Sequence, residues 1–338
     1  MNAIRLEEPG RLALISPEQT AIGPGEALVR VHRIGVCGTD IHAFKGNQPF
    51  FSYPRILGHE LGVEVLEVDP AIKHIRPGDR CAIEPYNNCG VCIACRRDRP
   101  NCCVNLQVLG VHTDGGMREE LVVPARKLHP SSSLSLDQLA LVEPLGIGCH
   151  AVDRTKVEPG EFALVVGAGP IGLAVMQFAA EAGAQVIVLD INERRLDFCQ
   201  KQLGIPHAID ASKQDPKETL NRITAGDFPT AVFDATGNPQ SMANAFAYPA
   251  HGGRLTFVGL FPGEITFSDP NFHRRELTLL ASRNARPADF TRIISLIEAK
   301  SIDTSPWITH RAGLTEVVTE FPLWTKPETG VIKAMIEV

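Results

Sequence analysis

The sequence predicts an α/β protein in two parts, a β-rich region followed by a doubly wound parallel sheet. Three observations carry that prediction. At 338 residues the chain exceeds what one ordinary core encloses, so two domains are expected. Up to about residue 150 it runs in short alternating stretches between turn residues, the pattern of half-buried strands. After Pro159-Gly160 the apolar runs become continuous and are separated by helix-length segments, the pattern of strands covered on both faces.

Taken in order, the first part offers "ALVRVHRIGV", "LGVEVLEV", "RPGDRCAIEP" and "REELVVPARKL" as strands. The second offers "FALVVGAG", "VIVLD", "AVFDATG", "RLTFVGL" and "LTLLAS" as buried parallel strands. Between the first two of these, Ile171, Ala174, Val175, Phe178 and Ala182 recur at helical spacing before Gly183 stops the helix. The closing stretch ends in the alternating "VIKAMIEV" and is too short for a domain of its own, so it is expected to return to the β-rich part. The predicted domains are 1–149, 150–287 and a completing segment 288–338, with a cysteine-rich lobe at about 86–105.

Hydrophobic residues make up 44% and charged residues 21%, close to globular averages, so a folded chain is expected and a disordered one excluded. The formal net charge of -6 argues against a nucleic-acid partner, which needs a concentrated positive surface. "RRDR" at 96–99 reads as a solvated rim. The opening "MNAIRLEEPGRLALI" lacks the unbroken apolar stretch of an export signal, and "FALVVGAGPIGLAVMQFAA" is interrupted by glycines and a proline. A cytoplasmic location is therefore expected. Thiols there stay reduced, and clustered cysteines read as metal ligands before disulfides.

"VVGAGPIG" sets Gly167, Gly169 and Gly172 in the G-x-G-x-x-G arrangement between a strand and a helix that Pro170 and Ile171 open. The first glycine makes the tight turn, the second admits a pyrophosphate, and the third lets helix and strand pack closely. Asp190 ends the next strand, 18 residues beyond Gly172, where a carboxylate accepts ribose hydroxyls and repels a 2′-phosphate. NAD is favoured over NADP. Arg195 follows on the adenine side.

Cys89, Cys92, Cys95 and Cys103 are separated by two, two and seven residues, a spacing that can close a tetrahedron around Zn²⁺ with no open position. Cys102 competes for the fourth place, and the spacing does not decide between them. A second, scattered set comprises Cys37, His59, Glu60 and Glu143: thiolate, imidazole and carboxylate, which suit a zinc with an exchangeable position. Singly, a buried cysteine or a hydrogen-bonded histidine is the commoner reading. Their company with a nucleotide turn reverses it.

Through "GVCGTDIH", "LGHE", the cysteine lobe, "EPL" and "GAGPIG", the chain resembles the zinc-dependent medium-chain alcohol dehydrogenases over nearly its full length. The resemblance implies a GroES-like catalytic domain, a Rossmann domain, and a homodimer or homotetramer. It assigns Cys89, Cys92, Cys95 and Cys103 to structural zinc, and Cys37 and His59 to catalytic zinc with Glu60 or Glu143. It further implies Asp40 as the acceptor that fixes His59, and Thr39 and His42 as the proton relay. Thr236, Arg283 and Lys333 are implied as cofactor contacts, Lys333 near the phosphates.

A closer resemblance, through "GNQPFFSYPR", "LGVHTDGG", "VGLFPGEITFSDPNFHRRE" and "ASRNA", is to bacterial sugar-acid 5-dehydrogenases acting on L-galactonate or L-gulonate. It implies Arg55 and His112 as partners for a hexonate, with Phe50 and Phe51 at the entrance. The alternatives are a sorbitol-like polyol dehydrogenase, a threonine-type dehydrogenase, and a non-catalytic zinc and nucleotide-binding redox sensor.

Overall fold

The structure, a computed structural model, describes residues 1–18, 21–49 and 51–338. It divides into two compact units: Met1–Pro144 with Ala285–Val338, and Leu145–Asn284. The second unit is thus inserted into the chain of the first.

The first unit is built on a seven-stranded sheet. Its order is Leu128–Pro130, Arg80–Ile83, Glu60–Val68, Glu26–Gly35, Lys333–Glu337 and Ile308–Gly313, with Glu120–Pro124 also paired to Glu26–Gly35. Alternation decides which face each strand buries: Ala27, Val29 and Val31 are fully buried, whereas Arg30 between them is exposed. The strand Glu26–Gly35 holds Glu120–Pro124 along its first half and, antiparallel, Lys333–Glu337 along its end, where Met335 faces Gly35. The segment after the inserted unit therefore supplies an interior strand of the sheet. Short strands Tyr86–Asn87 and Gln107–Val108 pair at the base of the cysteine lobe.

The second unit is a six-stranded, all-parallel sheet of β1 (Phe162–Val166), β2 (Gln185–Asp190), β3 (His207–Asp210), β4 (Ala231–Asp234), β5 (Arg254–Phe257) and β6 (Thr278–Ala281). The order β3-β2-β1-β4-β5-β6 is that of the doubly wound dinucleotide fold, which reverses direction beside β1. Continuous apolar sequence makes β1 and β4 interior strands, with Ala163, Leu164, Val165, Ala231, Val232 and Phe233 fully buried. The expectation for "LTLLAS" needs correction. β6 is the sheet edge, has a partner on one side only, and is mostly exposed. Among the described residues no helix is long and apolar enough to cross a membrane.

Candidate active site and metal centres

The lobe gathers its thiols by local geometry. Cys92 caps the short helix Ile93–Arg96, which carries Cys95, and a turn of 3₁₀ helix, Pro100–Cys102, delivers Cys103. The sulfurs of Cys89, Cys92, Cys95 and Cys103 all lie within 4.8 Å of one another. Cys92 Sγ is 3.5 Å from that of Cys95 and 3.9 Å from that of Cys103. A tetrahedron with Zn–S bonds of about 2.3 Å has edges of about 3.8 Å, so the four thiols fit the ion. Backbone N–H groups of Cys95 and Val104 bring the Cys92 thiol down to about 6, favouring the thiolate a metal needs. Burial pushes Cys103 up to about 11. Cys102 is exposed and outside the cluster, so the alternative left open by spacing is decided against it.

The second centre is assembled from distant parts of the chain. Cys37 caps the helix Gly38–Phe44, and Asp40 in its first turn accepts the Cys37 backbone N–H at 2.9 Å. His59 and Glu60 arrive at the start of the strand Glu60–Val68. The turn before them is packed by "LGVHTDGG": Gly116 donates to the Gly58 carbonyl at 2.8 Å, and a Cβ at Gly115 would come 2.4 Å from that oxygen. Opposite Glu60 stands Gly35, where a Cβ would lie 2.0 Å from Glu60 Oε2. Only glycine leaves room for that carboxylate.

Ligand atoms of Cys37, His59 and Glu60 lie within 4.8 Å of one another. His59 Nδ1 and Asp40 Oδ1 are 3.8 Å apart, both buried and without a hydrogen bond. Burial alone would lower the His59 pKa, but Asp40, Cys37 and Glu143 drive it well above its ordinary value. Burial also raises Asp40 and Glu143. Three buried carboxyls and a thiol thus face one lysine and one imidazole, an excess of negative character that a divalent cation relieves. The residues fit zinc.

Lys333, which the resemblance puts near the cofactor phosphates, is tied by its side chain to Glu60. Its ammonium is 1% exposed, donates to both Glu60 oxygens at 2.7 Å and to the Val36 carbonyl at 3.1 Å, and so neutralises the acid beside His59. A lysine among the apolar residues of "VIKAMI" is the signal that it needs a buried partner. Glu143 lies outside the Cys37–His59–Glu60 trio; its Oε1 accepts the Tyr86 hydroxyl. Sequence reasoning missed Tyr86 and Gly35. A glycine closing an alternating strand is the trace that could have exposed the latter.

In the second unit, Gly169 caps the helix Pro170–Glu181. Gly167 has φ +100°, and a Cβ at Gly172 would stand 1.8 Å from the Gly167 carbonyl oxygen. At Gly169 the nearest atom to an added Cβ is an Arg195 guanidinium nitrogen at 3.8 Å, leaving an open cradle at the helix N-terminus that suits a pyrophosphate. Asp190 accepts from the backbone of Ala168 at 2.6 Å and of Asn192 at 2.8 Å, which fixes it beside the turn. Thr236 is tied to Asp234 at the end of β4, at 2.7 Å. Arg283 is exposed just past β6.

The remaining predicted residues lie in the first unit. Thr39 is half-buried and His42 exposed on the helix that starts at Cys37. Arg55 bonds Ser52 at 2.8 Å and lies 3.5 Å from Asp114, with its Nε buried and unpartnered. His112 Nδ1 accepts from the Val108 backbone at 3.0 Å. Phe51 packs against the core and against Tyr53, ring centroids 4.9 Å apart. Phe50 lies outside the described residues.

Residues 23–133 match the family described as Alcohol dehydrogenase GroES-like domain, and residues 170–299 match Zinc-binding dehydrogenase. The chain is 42% identical over 311 residues to the L-galactonate-5-dehydrogenase of Escherichia coli K12, covering 92% of this chain and 91% of that one. It belongs to the zinc-type medium-chain alcohol dehydrogenases. The 2-dehydro-3-deoxy-L-galactonate 5-dehydrogenase of Pseudoalteromonas atlantica is 30% identical, over 95% of this chain and 94% of its own. The crystal structure of the alcohol dehydrogenase RspB from E. coli CFT073, complexed with NADH, superposes with a TM-score of 0.93 at 28% identity, covering 100% and 99% of the two chains. The chain is accordingly a zinc-dependent alcohol dehydrogenase that uses NAD, with a GroES-like and a Rossmann-like part.

Proposed function

We propose that this dehydrogenase oxidises the C5 secondary hydroxyl of a hexonate, L-galactonate or L-gulonate, with NAD as acceptor. The observation that carries this is the 42% identity to an L-galactonate-5-dehydrogenase across 92% of the chain. The second 5-dehydrogenase among the relatives supports the same carbon.

In this reading Cys37, His59 and Glu60 hold the catalytic zinc, and Cys89, Cys92, Cys95 and Cys103 hold the structural one. Bound zinc supplies a Lewis acid that brings a hydroxyl pKa toward neutrality, and bound NAD supplies the hydride acceptor. Asp40, whose Oδ1 lies 3.8 Å from His59 Nδ1, is assigned to orient that imidazole through its charge. Thr39 Oγ1 accepts the substrate proton as its own hydroxyl proton leaves toward His42. His42, one turn further along the helix and exposed, passes it to solvent. Arg55 and His112 are assigned to the substrate carboxylate. Asp190 sets the preference for NAD, with Gly167, Gly169, Gly172 and the amides of the helix opened by Pro170 and Ile171 at the pyrophosphate. Arg195, Thr236 and Arg283 complete the cofactor contacts.

Thiols gathered as metal ligands, as in the cysteine lobe, suit a reducing cytoplasm. The exposed edge strand β6 is a surface on which a second copy can pair, supporting a homodimer or homotetramer. A panel of aldonates, polyols and threonine with NAD and NADP tests the substrate reading by following reduced cofactor. Hexonates should give the highest kcat/KM with NAD. Strong sorbitol or threonine turnover without hexonate turnover would refute it.

A further inference from the structure

Tyr86 has no part in the steps above. It sits on the strand that opens the cysteine lobe and is 2% exposed. Its hydroxyl donates to Oε1 of Glu143, itself 5% exposed. A buried phenol needs an acceptor and a buried carboxylate needs donors, so each group meets the other's requirement. The ring is fixed from behind. Its edge meets Phe290 with centroids 6.4 Å apart and planes at 75°, and Phe290 stacks on His129 at 5.0 Å. His129 Nε2 lies 3.3 Å from one oxygen of Glu84, whose other oxygen takes the buried ammonium of Lys127. Tyr86 cannot swing away from Glu143 without opening that stack.

The two acids of the centre are therefore held by different chemistry. Glu60 has both oxygens on a cation, Lys333, whereas Glu143 has one oxygen on a neutral hydroxyl. We propose that Tyr86 is a positioning residue that acts through Glu143, pinning one carboxylate oxygen so that the other stands as a fixed acceptor beside the Cys37–His59–Glu60 cluster. The proposal rests on that trio being the donor set of the proposed function. Groups that orient metal-site carboxylates typically change metal affinity or activity by about 10- to 100-fold when removed.

Tyr86→Phe keeps the ring against Phe290 and removes only the hydroxyl. In the zinc-loaded enzyme it should release the exchangeable metal to a chelator about tenfold faster than wild type and lower kcat/KM by about tenfold. With cobalt in place of that zinc, the visible absorption bands should shift, a signature that loss of packing elsewhere does not produce. Glu143→Gln should give the same direction in all three readouts, and the double variant should add little to either single one. Chelator release and cobalt bands like wild type in Tyr86→Phe overturn the proposal; if that variant does not fold, the same result in Glu143→Gln does. Cys37→Ser separates the two levels. If it keeps the exchangeable metal, the donor set itself is wrong; if it loses the metal while Tyr86→Phe behaves as wild type, only the role of Tyr86 falls.

Discussion

The cysteine lobe and the Cys37–His59–Glu60 centre are built from similar residue types but by opposite routes. The lobe draws four thiols from fifteen consecutive positions, 89 to 103, and leaves Cys89, Cys92 and Cys95 half exposed around short helical turns, with Cys103 buried. The other centre draws Cys37 from a helix cap and His59 and Glu60 from a strand start, then surrounds them with buried acids and Lys333. Four like ligands close a coordination sphere, whereas three mixed ligands leave a position for substrate. Locality suits a staple, and dispersal across a rigid sheet suits a reaction centre whose ligands must each be separately oriented.

Substitutions should separate the two along that line. Cys37→Ala should lower turnover by about 10³-fold, the equivalent of the several kcal/mol a Lewis-acid metal supplies, while the lobe metal remains measurable by elemental analysis. Asp40→Asn removes a carboxylate and leaves its shape, so affinity of the centre for zinc should drop about 10- to 100-fold in a chelator competition with little change in melting temperature. Cys95→Ser should leave turnover of the folded enzyme within about tenfold, yet strip metal from the lobe and expose 89–103 to limited proteolysis. Equal loss of activity in Cys95→Ser and Cys37→Ala would erase the distinction between staple and reaction centre.

Legibility in the sequence follows the same division. The lobe was readable because its ligands are neighbours, and the glycine turn because each glycine answers a local need, Gly172 most of all. The mixed set of Cys37, His59, Glu60 and Glu143 was readable only as a group beside a nucleotide turn, since no local spacing connects residue 37 with residue 59, and the resemblance supplied the roles. The pairing of Lys333 with Glu60 was not legible because the two are 273 residues apart and meet only through the register of two strands on either side of Glu26–Gly35. Tyr86 was missed for a related reason, because a tyrosine beside a cysteine lobe announces nothing until Glu143 folds against it. β6 misled in the other direction: an apolar run shows that a strand forms, but not whether it has neighbours on both sides.

The pairing of Lys333 with Glu60 also sets a timetable for the nascent chain. Glu60 is made early, but its counter-charge is translated only after all of Leu145–Asn284, so the first unit waits on the inserted one with a carboxylate that has yet to meet its ammonium. Until that late strand slots beside Glu26–Gly35, the Cys37–His59–Glu60 cluster lacks the cation that neutralises its acid, so its electrostatics are settled only after the inserted unit has been made.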